Sequence, residues 1–310
     1  MEVTSSVVGD GAGDVDGRVK SQSCNLGSMA LAKKHKHPRD CRITFVEHGH
    51  TYWLDGAVRF PISISGVWET FFERFDAVAI VDKYFNQWST NVMSKYYCHI
   101  AASTEAGLNT SAIKQTIIDG WTENGAIASC RGTYIHRQIE LALNGVPYDN
   151  GYVEMQQFKQ FMVEVVELWG WVPYRTEWAV YDAERMIAGQ IDALFYDPVK
   201  REYHMVDWKT CRDPLDPDSG AHYDRRGRAP LDFLVDNKFS KYAAQQNLYE
   251  VLLSDNYNIA VKSMWLVQFH EKQETYILHS VPRFQIAARK MLDQCACTTS
   301  LAPQRGEPGC

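Results

Sequence analysis

The sequence predicts an α/β protein whose core is a mixed β-sheet flanked by helices, with a helical cap on its N-terminal side. Two runs of β-branched, aromatic and aliphatic residues lie at 186–196 and 202–209, and the residues between them have turn chemistry. A third such run covers 171–182, and stretches with helical apolar spacing precede and follow all three. These observations predict an antiparallel meander inside a layered fold.

The segment 1–41 is expected to be a flexible tail, because it is rich in Gly, Asp, Ser and Val and shows no hydrophobic period. Its aspartates argue against a mitochondrial transit peptide, and it contains no apolar secretory segment. The basic cluster at 33–39 could steer nucleic acid or act as a nuclear signal, although short charge runs are more often only solvated.

Residues 42–119 are expected to form a hairpin at 42–56 and then a helical cap, with helices at 65–75 and 77–88. Aromatic side chains are abundant in this part of the chain. Most of them must pack in the interior, whereas one or two could stack on an unpaired base. They are Phe71, Phe72, Phe75, Tyr84, Phe85 and Trp88.

A helix at 126–145 belongs to the predicted core domain, which covers 120–297. Gly132, His136 and Glu140 are each four residues apart in this helix, so they share one face. The glycine allows another segment to approach closely beside the histidine. A lone helix histidine is more often solvent-facing than a metal ligand, so the neighbouring strands decide its interpretation.

The expected register of the meander puts three acidic side chains on one face. If Tyr196 pairs with Tyr203, Asp192 falls directly opposite Asp207, and the same count across the preceding turn brings Glu177 opposite Asp192. Opposed residues have Cβ atoms about 4.5–5.5 Å apart, and like charges at that separation repel each other. A hard cation such as Mg²⁺ or Mn²⁺ is therefore expected among these carboxylates.

Lys209 stands two residues after Asp207, so both side chains point to the same face of the strand. An acid and a base aimed together from a buried strand cost desolvation energy unless a metal ion and a phosphate compensate them. The alternatives are a surface hairpin with an ordinary Asp–Lys ion pair and, for Glu177, a solvated glutamate on an edge strand.

The segment 211–236 is long and contains several Pro and Gly residues. A loop of this length is usually functional or disordered. Its basic residues Arg225 and Arg226 indicate a lid over a bound strand, with disorder as the alternative. The remaining elements are helices at 153–169, 241–253 and 283–295, strands at 260–270 and 273–281, and a C-terminal tail at 298–310.

Five motifs follow one another along the chain. They are Gly132-x-x-x-His136, Glu177, Gly189-x-x-Asp192, Asp207-x-Lys209 and Gln245-x-x-x-Tyr249. In this order they resemble the motifs of the PD-(D/E)XK nucleases, in particular the RecB-like exonuclease branch, over about residues 120–297. The resemblance implies a core of restriction-endonuclease-like type and a metal-dependent nuclease with Mg²⁺ or Mn²⁺ as its cofactor.

The resemblance also implies a catalytic or metal-binding role for each motif position. Asp192, Asp207 and the backbone carbonyl of Trp208 would hold the metal ion, with His136 as an additional ligand. Glu177 would orient a water molecule or a second ion, and Lys209 would contact the attacking water or the scissile phosphate. These roles agree with the chemistry, since cations stabilise the charge that builds on phosphate oxygens during attack.

The residues expected to contact nucleic acid lie on the helix after the meander and among the basic side chains. Gln245 and Tyr249 would touch the nucleic-acid backbone by the same resemblance. The basic candidates for such contacts are Arg131, Arg225 and Arg226.

The predicted function is metal-dependent hydrolysis of DNA phosphodiester bonds, from an end, because the histidine-helix variant belongs mainly to exonucleases. A structure-specific endonuclease of the same fold is an alternative. A non-catalytic nucleic-acid-binding scaffold is a second one, disfavoured because no motif position is missing. A metal-dependent phosphatase would lack the Gln245 helix and the cap. The expected partner is DNA, single-stranded or duplex with ends.

Composition sets wider limits on the class of protein. The formal net charge of −6 does not favour nucleic-acid binding, but net charge is not local charge. No apolar stretch approaches the roughly 18 residues that span a bilayer, so no membrane is expected. We expect a soluble intracellular protein, in the nucleus or the cytoplasm, with its eight cysteines as reduced thiols. No iron–sulfur cluster is expected, because the spacing of Cys295, Cys297 and Cys310 departs from that of cluster-bearing relatives.

Overall fold

The computed structural model describes residues 29–221 and 225–300. Its strands coincide closely with the predicted runs. The α-helices are α1 (Met29–Lys34), α2 (Ile64–Glu69), α3 (Ala77–Thr90), α4 (Tyr97–Glu105), α5 (Thr110–Leu143), α6 (Val153–Phe161), α7 (Lys238–Tyr257) and α8 (Gln285–Ser300). A 3-10 helix covers Asp40–Arg42, and a π-helix at Met162–Glu167 continues α6. The strands are β1 (Ile43–Val46), β2 (Thr51–Leu54), β3 (Val58–Arg59), β4 (Ile62–Ser63), β5 (Val172–Asp182), β6 (Ile187–Asp197), β7 (Glu202–Lys209), β8 (Val261–Gln268) and β9 (Ile277–Ser280).

The main sheet is mixed and is organised around β6. β5 runs antiparallel along one edge of β6, while the other edge is shared by β4, parallel at Ile187 and Ala188, and β7, antiparallel from Ala193 to Asp197. β8 lies parallel to β7, and β9 lies antiparallel to β8. The prediction of a mixed sheet flanked by helices is confirmed. Asp192 lies just where β7 begins to separate from β6.

Both predicted registers are correct. Tyr196 pairs with Tyr203, and the ladder continues to the pair Ala193 and Val206. If this register is continued by one residue, Asp192 lies opposite Asp207. On the other edge of β6, the pairs that β5 forms at Thr176–Ala193 and Trp178–Ile191 bracket Glu177 and Asp192.

The two faces of the sheet bury separate hydrophobic cores. Leu194 and Met205 pack in one core, with α2, α7 and α8, whereas Phe195 and Val206 pack in the other, with α6 and the C-terminal half of α5. Because neighbouring strand residues point to opposite faces, each strand serves both cores. Asp192 and Asp207 stand two residues from Leu194 and Met205, so their side chains share the first face.

The cap is smaller than predicted. It consists of α3, α4 and the N-terminal half of α5, which enclose a third core of Val81, Phe85, Ile100, Ile113 and Ile117. The predicted domain boundary between residues 119 and 120 falls inside α5, which runs without a break from cap to core. The predicted cap region also contributes β4 to the main sheet and α2 to its first core.

The predicted flexible tail is only partly described, and the described part is ordered. Residues 1–28 lie outside the described residues, whereas α1 packs against β5 and buries Leu31, whose N–H donates to the Asn144 side chain over 3.0 Å. The carboxylate of Asp40 accepts hydrogen bonds from Arg175 and from Trp178 Nε1. The tail prediction is therefore wrong for residues 29–41, which pack against β5.

Two side chains of the basic cluster at 33–39 also pack against β5. The His35 ring lies against Tyr174, and the Arg39 guanidinium lies over the ring of Tyr181, 4.1 Å from its centroid. Lys33, Lys34 and Lys36 remain exposed. The roles suggested for the cluster in nucleic-acid steering or nuclear targeting stay predictions.

At the other end of the chain, α8 continues through Ser300, so the predicted tail begins later than residue 298. Residues 301–310 lie outside the described residues. The segment 211–236 is described except for 222–224, and it is packed rather than disordered: Leu215 and Leu231 are buried, and the N–H of Arg228 donates to the carbonyl of Phe71.

Candidate metal centre

Three elements bring three of the predicted site residues to one corner of the main sheet. α5 supplies His136, β5 supplies Glu177 and β6 supplies Asp192. Among the described residues, these offer one imidazole nitrogen and two carboxylate oxygens that all lie within 4.8 Å of one another. The side chains are 27, 21 and 13 % exposed respectively, so the group is recessed but open to solvent. Such a group could hold a metal ion.

The hydrogen bond of His136 determines which ring nitrogen faces the acids. Nε2 lies 3.0 Å from the carbonyl oxygen of Trp208, and because a carbonyl only accepts, Nε2 must carry the proton. Burial lowers the pKa of His136 to about 4, and the positive charge of Lys209 adds to the effect. The ring is therefore neutral near pH 7, and the unshared pair of Nδ1 faces Asp192 Oδ2 at 3.5 Å and Glu177 Oε1 at 3.9 Å.

The two carboxylates resist ionisation in this place. Burial raises the pKa of Glu177 well above its usual range, and the charge of Asp192 raises it further. Burial also raises the pKa of Asp192, although Lys209 and the N–H of Trp208, which donates to Oδ2 over 2.9 Å, oppose the rise. Two acids beside an unshared nitrogen pair repel one another, and a bound cation would relieve that repulsion.

Asp207 and the backbone carbonyl of Trp208, which the sequence predicts as metal ligands, lie outside the group of three, and their role as ligands stays a prediction. The sequence predicts His136, Asp192 and Asp207, whereas the structure groups Glu177 with His136 and Asp192. The Asp207 carboxylate is ion-paired with Lys209 on the shared face of β7, and it also lies within hydrogen-bonding reach of the Asp192 carboxylate. Burial raises the pKa of Asp207 to about 7, even though the Lys209 cation opposes the change.

Lys209 is a half-buried cation at the edge of the candidate metal centre. Its predicted orientation, on the same face as Asp207, is confirmed by their ion pair. Its Nζ lies 4.3 Å from the ring centroid of Tyr242 on α7. Burial lowers the pKa of Lys209, but the negative charges of Asp207 and Asp192 outweigh burial and raise the pKa overall. The ammonium therefore stays charged at neutral pH.

Glu177 has an unusual backbone for a strand residue. Its φ angle is +43°, in the left-handed region that few residues other than glycine adopt. The side-chain amide of Gln190 donates to the Glu177 carbonyl over 3.1 Å and supports this conformation. Backbone strain of this kind clusters at functional sites. No sequence pattern could have indicated it.

Three further residues around Glu177 were not predicted as part of the site. Arg137 and Glu140, three residues apart on α5, form an ion pair. The charge of Glu140 raises the pKa of Glu177, whereas the charge of Arg137 lowers it. Tyr52 on β2 is buried, and burial together with Glu177 and Asp192 raises its pKa. Glu140 shares the predicted stripe with His136, whereas nothing in the sequence connects Tyr52 with these residues.

The glycines of two motifs allow close packing beside the site. A Cβ on Gly132 would lie 3.0 Å from Thr210 Oγ1, so the absence of a side chain lets the end of β7 approach α5 near His136. A Cβ on Gly189 would lie 2.7 Å from the Tyr249 hydroxyl oxygen and 2.8 Å from Ile64 Cγ1. Gly189 therefore lets α7 and α2 pack directly on β6.

Two residues of α7, Gln245 and Tyr249, were expected to contact nucleic acid, and they differ in how accessible they are. Tyr249 is buried, and its hydroxyl accepts the N–H of Gln190 over 3.0 Å. This position suits support of β6 and leaves no ring surface for a nucleic-acid backbone. Gln245 is half-buried on the same helix, and its contact with nucleic acid stays a prediction.

The three basic candidates also lie in different settings. Arg131 forms ion pairs with Glu154, at 2.7 Å, and Glu271, at 2.9 Å, so its guanidinium ties α5 to neighbouring elements. Arg225 and Arg226 are exposed on the loop that packs near α2. Their contacts with nucleic acid stay predictions.

Of the three C-terminal cysteines considered for an iron–sulfur cluster, the structure describes the side chain of one. Cys295 is buried in the first core, and its Sγ lies 3.8 Å from Thr70 Oγ1. The side chains of Cys297 and Cys310 lie outside what is described.

Comparisons with known proteins add little to this geometry. No family model and no curated protein matches the chain. Among solved structures, 18 chains match. One, described as "Crystal structure of SSO0001", is 14 % identical, covers 74 % of this chain and 88 % of its own, and has a TM-score of 0.30. A TM-score this low does not establish a shared fold. In the described part of the chain, no helix is long and apolar enough to cross a membrane.

Proposed function

We propose that this protein is a metal-dependent nuclease with a restriction-endonuclease-like core, which hydrolyses DNA phosphodiester bonds from an end. The observation that carries the proposal is the convergence of His136 Nδ1 with two carboxylates, within 4.8 Å, beside the Asp207–Lys209 ion pair. All five residues occupy motif positions of the PD-(D/E)XK resemblance.

The donor set fits Mg²⁺ or Mn²⁺. Carboxylate oxygens suit both ions, and a neutral imidazole nitrogen suits transition metals such as Mn²⁺. His136, Glu177 and Asp192 would hold the ion, and their mutual repulsion supports the presence of a cation. When bound, such an ion supplies Lewis-acid polarisation of a phosphate oxygen and lowers the pKa of bound water.

Lys209 supplies a second positive charge to the same place. Its ammonium is ion-paired with Asp207 and lies against the ring of Tyr242, and these contacts limit the reorganisation it needs when a phosphate arrives. A cation held in advance stabilises the negative charge that develops on phosphate oxygens during hydrolysis. The imidazole of His136 is neutral, so it adds no positive charge to the group, and the unshared pair of its Nδ1 stays free to bind a metal ion.

The proposal is tested with labelled single-stranded, duplex and circular DNA, each incubated with Mg²⁺, Mn²⁺ or EDTA. We expect cleavage of linear DNA with either ion and none with EDTA. An enzyme that acts from ends spares the circle, whereas cleavage of the circle would identify the endonuclease of the same fold. If no metal ion supports cleavage of any substrate, the proposal is wrong.

Two variants test the residues behind the activity. Asp192→Asn and Lys209→Met should each lower cleavage on the order of 100-fold or more, as loss of one transition-state contact does. Glu202→Gln is the matched control, because Glu202 lies at the other end of β7 and pairs with Lys262. It should cleave as the parent does. Parent-like cleavage by both Asp192→Asn and Lys209→Met would place the chemistry elsewhere.

A further inference from the structure

The cap carries an aromatic cleft that the metal centre does not use. Its walls are formed by Phe75, Trp88, Tyr96 and Trp121, with Lys95 at the side, and we call this set the cap cleft. The cleft has a volume of about 640 Å³ and is open to solvent. Ligand sites in proteins fall in this range of volumes.

Contacts among the aromatic residues hold the cleft in shape. The rings of Trp88 and Tyr96 have centroids 4.4 Å apart, and Trp121 Nε1 donates to the Tyr96 hydroxyl over 2.8 Å. Phe75 lies 5.7 Å from Trp121, centroid to centroid, yet remains 70 % exposed. An exposed aromatic ring that lies against one member of a ring cluster offers stacking surface that the fold itself leaves uncovered.

The polar residues of the cap cleft restrict what can bind there. Lys95 is the only charged residue among the described ones that line it, and Gln87, Asn91 and Ser94 add amide and hydroxyl groups. Aromatic cages that take methylated lysines or other cations depend on the negative faces of their rings, and a lysine at the rim disfavours such ligands. A ligand with flat rings and negative charge, as a nucleotide has, fits both features.

The helix α5 connects the cap cleft with the metal centre. Trp121 and His136 stand 15 residues apart on it, which corresponds to about 22 Å along the axis and to directions that differ by about 60°. Both therefore face the same side. All residues from 122 to 130 between them are exposed, so the described chain leaves this stretch of helix open to solvent.

We propose that the cap cleft binds unpaired bases of a single strand whose backbone continues along α5 to the metal centre. The inference rests on the proposed function, because it names the substrate: a strand with unpaired bases rather than a blunt duplex. Bases in a duplex are already stacked and cannot offer their faces to the four rings. Each stacked base adds binding energy whatever its sequence.

The test measures binding separately from cleavage, by fluorescence anisotropy in EDTA. The probes are a labelled oligothymidylate of about 12 nucleotides, within the range of single-strand site sizes, and a blunt duplex of the same length. Phe75→Ala should weaken binding of the single strand about fivefold or more, because one stacking surface is lost. The matched control is Met93→Ala, which truncates an apolar side chain that is 87 % exposed on the cap but lies outside the cleft.

The outcomes separate this inference from the proposed function. If Phe75→Ala binds the single strand as tightly as the parent, or weakens the duplex equally, the cleft inference is wrong, whatever the parent cleaves. If Phe75→Ala weakens single-strand binding but no metal supports cleavage by the parent, the cleft stands and the nuclease proposal fails. Circular dichroism checks the fold of the variant, which the exposure of Phe75 should leave intact.

Discussion

The imidazole of His136 donates its Nε2 proton to the carbonyl oxygen of Trp208 over 3.0 Å, and this bond joins α5 to β7 at the candidate metal centre. The Trp208 side chain points to the opposite face of the sheet, where it is buried against Phe158 and Phe161. Packing of the Trp208 side chain in the second core thus fixes the position of its backbone carbonyl, and this carbonyl sets the tautomer of His136. The ring presents Nδ1, without a proton, to the two acids.

Removal of the imidazole should weaken metal binding. We expect His136→Ala to bind Mn²⁺ at least about 10-fold more weakly than the parent, since it removes a ligand and its orienting hydrogen bond. Isothermal titration calorimetry with Mn²⁺ alone measures this. His99→Ala, at an exposed position on α4, is the control and should bind as the parent does. Equal affinities in His136→Ala and the parent would remove His136 from the ligand set.

The raised pKa of Asp207 predicts how the stability of the metal-free protein depends on pH. Burial raises this pKa to about 7, so the folded chain keeps a proton that the unfolded chain releases above about pH 4. The stability contributed by this group is fully present below pH 4 and is lost as the pH rises to about 7.

We therefore expect Asp207→Asn to lose less stability than the parent between about pH 5 and pH 7, because its side chain does not titrate. Urea denaturation in EDTA at both pH values measures the difference. Asp119→Asn, at an exposed position on α5, should follow the parent. An equal loss in Asp207→Asn and the parent would contradict the assignment.

Two glycine substitutions should change stability in opposite directions. Gly189→Ala puts a Cβ 2.7 Å from the Tyr249 hydroxyl oxygen, and the resulting overpacking should lower the free energy of unfolding by about 1–3 kcal/mol. Gly125→Ala meets nothing within 4 Å in the exposed middle of α5, and it should raise that free energy by about 0.5–1 kcal/mol. Urea denaturation of both variants is the measurement, and a parent-like Gly189→Ala would show that α7 has room to shift.

Asp40 should matter to stability if residues 29–41 belong to the fold. Its carboxylate accepts from Arg175 over 2.8 Å and from Trp178 Nε1 over 2.9 Å, and the Arg175 side chain is 6 % exposed. Asp40→Ala leaves that guanidinium poorly partnered and should cost roughly 1.5–3 kcal/mol in thermal or urea denaturation. Asp55→Ala removes an ion pair with Arg42 at the surface and should change stability much less. Similar effects of both variants would mean that the segment adds little.

The strands and their register could be predicted because they depend on local chemistry. Polar turns separate the three apolar runs, and one count across each turn aligns Glu177, Asp192 and Asp207. Helix α5 could be predicted only in its C-terminal half, since its exposed middle, residues 122–130, carries Gly125 and no apolar stripe. The short strand β4 has no sequence signal, because two residues gain their strand conformation only by pairing with β6.

By itself, the sequence determined which side chains of the meander share a face, because the alternation of a strand is a property of the local backbone. It also determined that His136 lies one turn from Gly132 and Glu140. Only the tertiary structure decided that Glu177 converges with His136 and Asp192, since this convergence depends on how α5 packs beside β5 and β6. Distances between side chains from separate elements depend on how α5, α7 and the sheet pack, and no local pattern in the sequence encodes that packing.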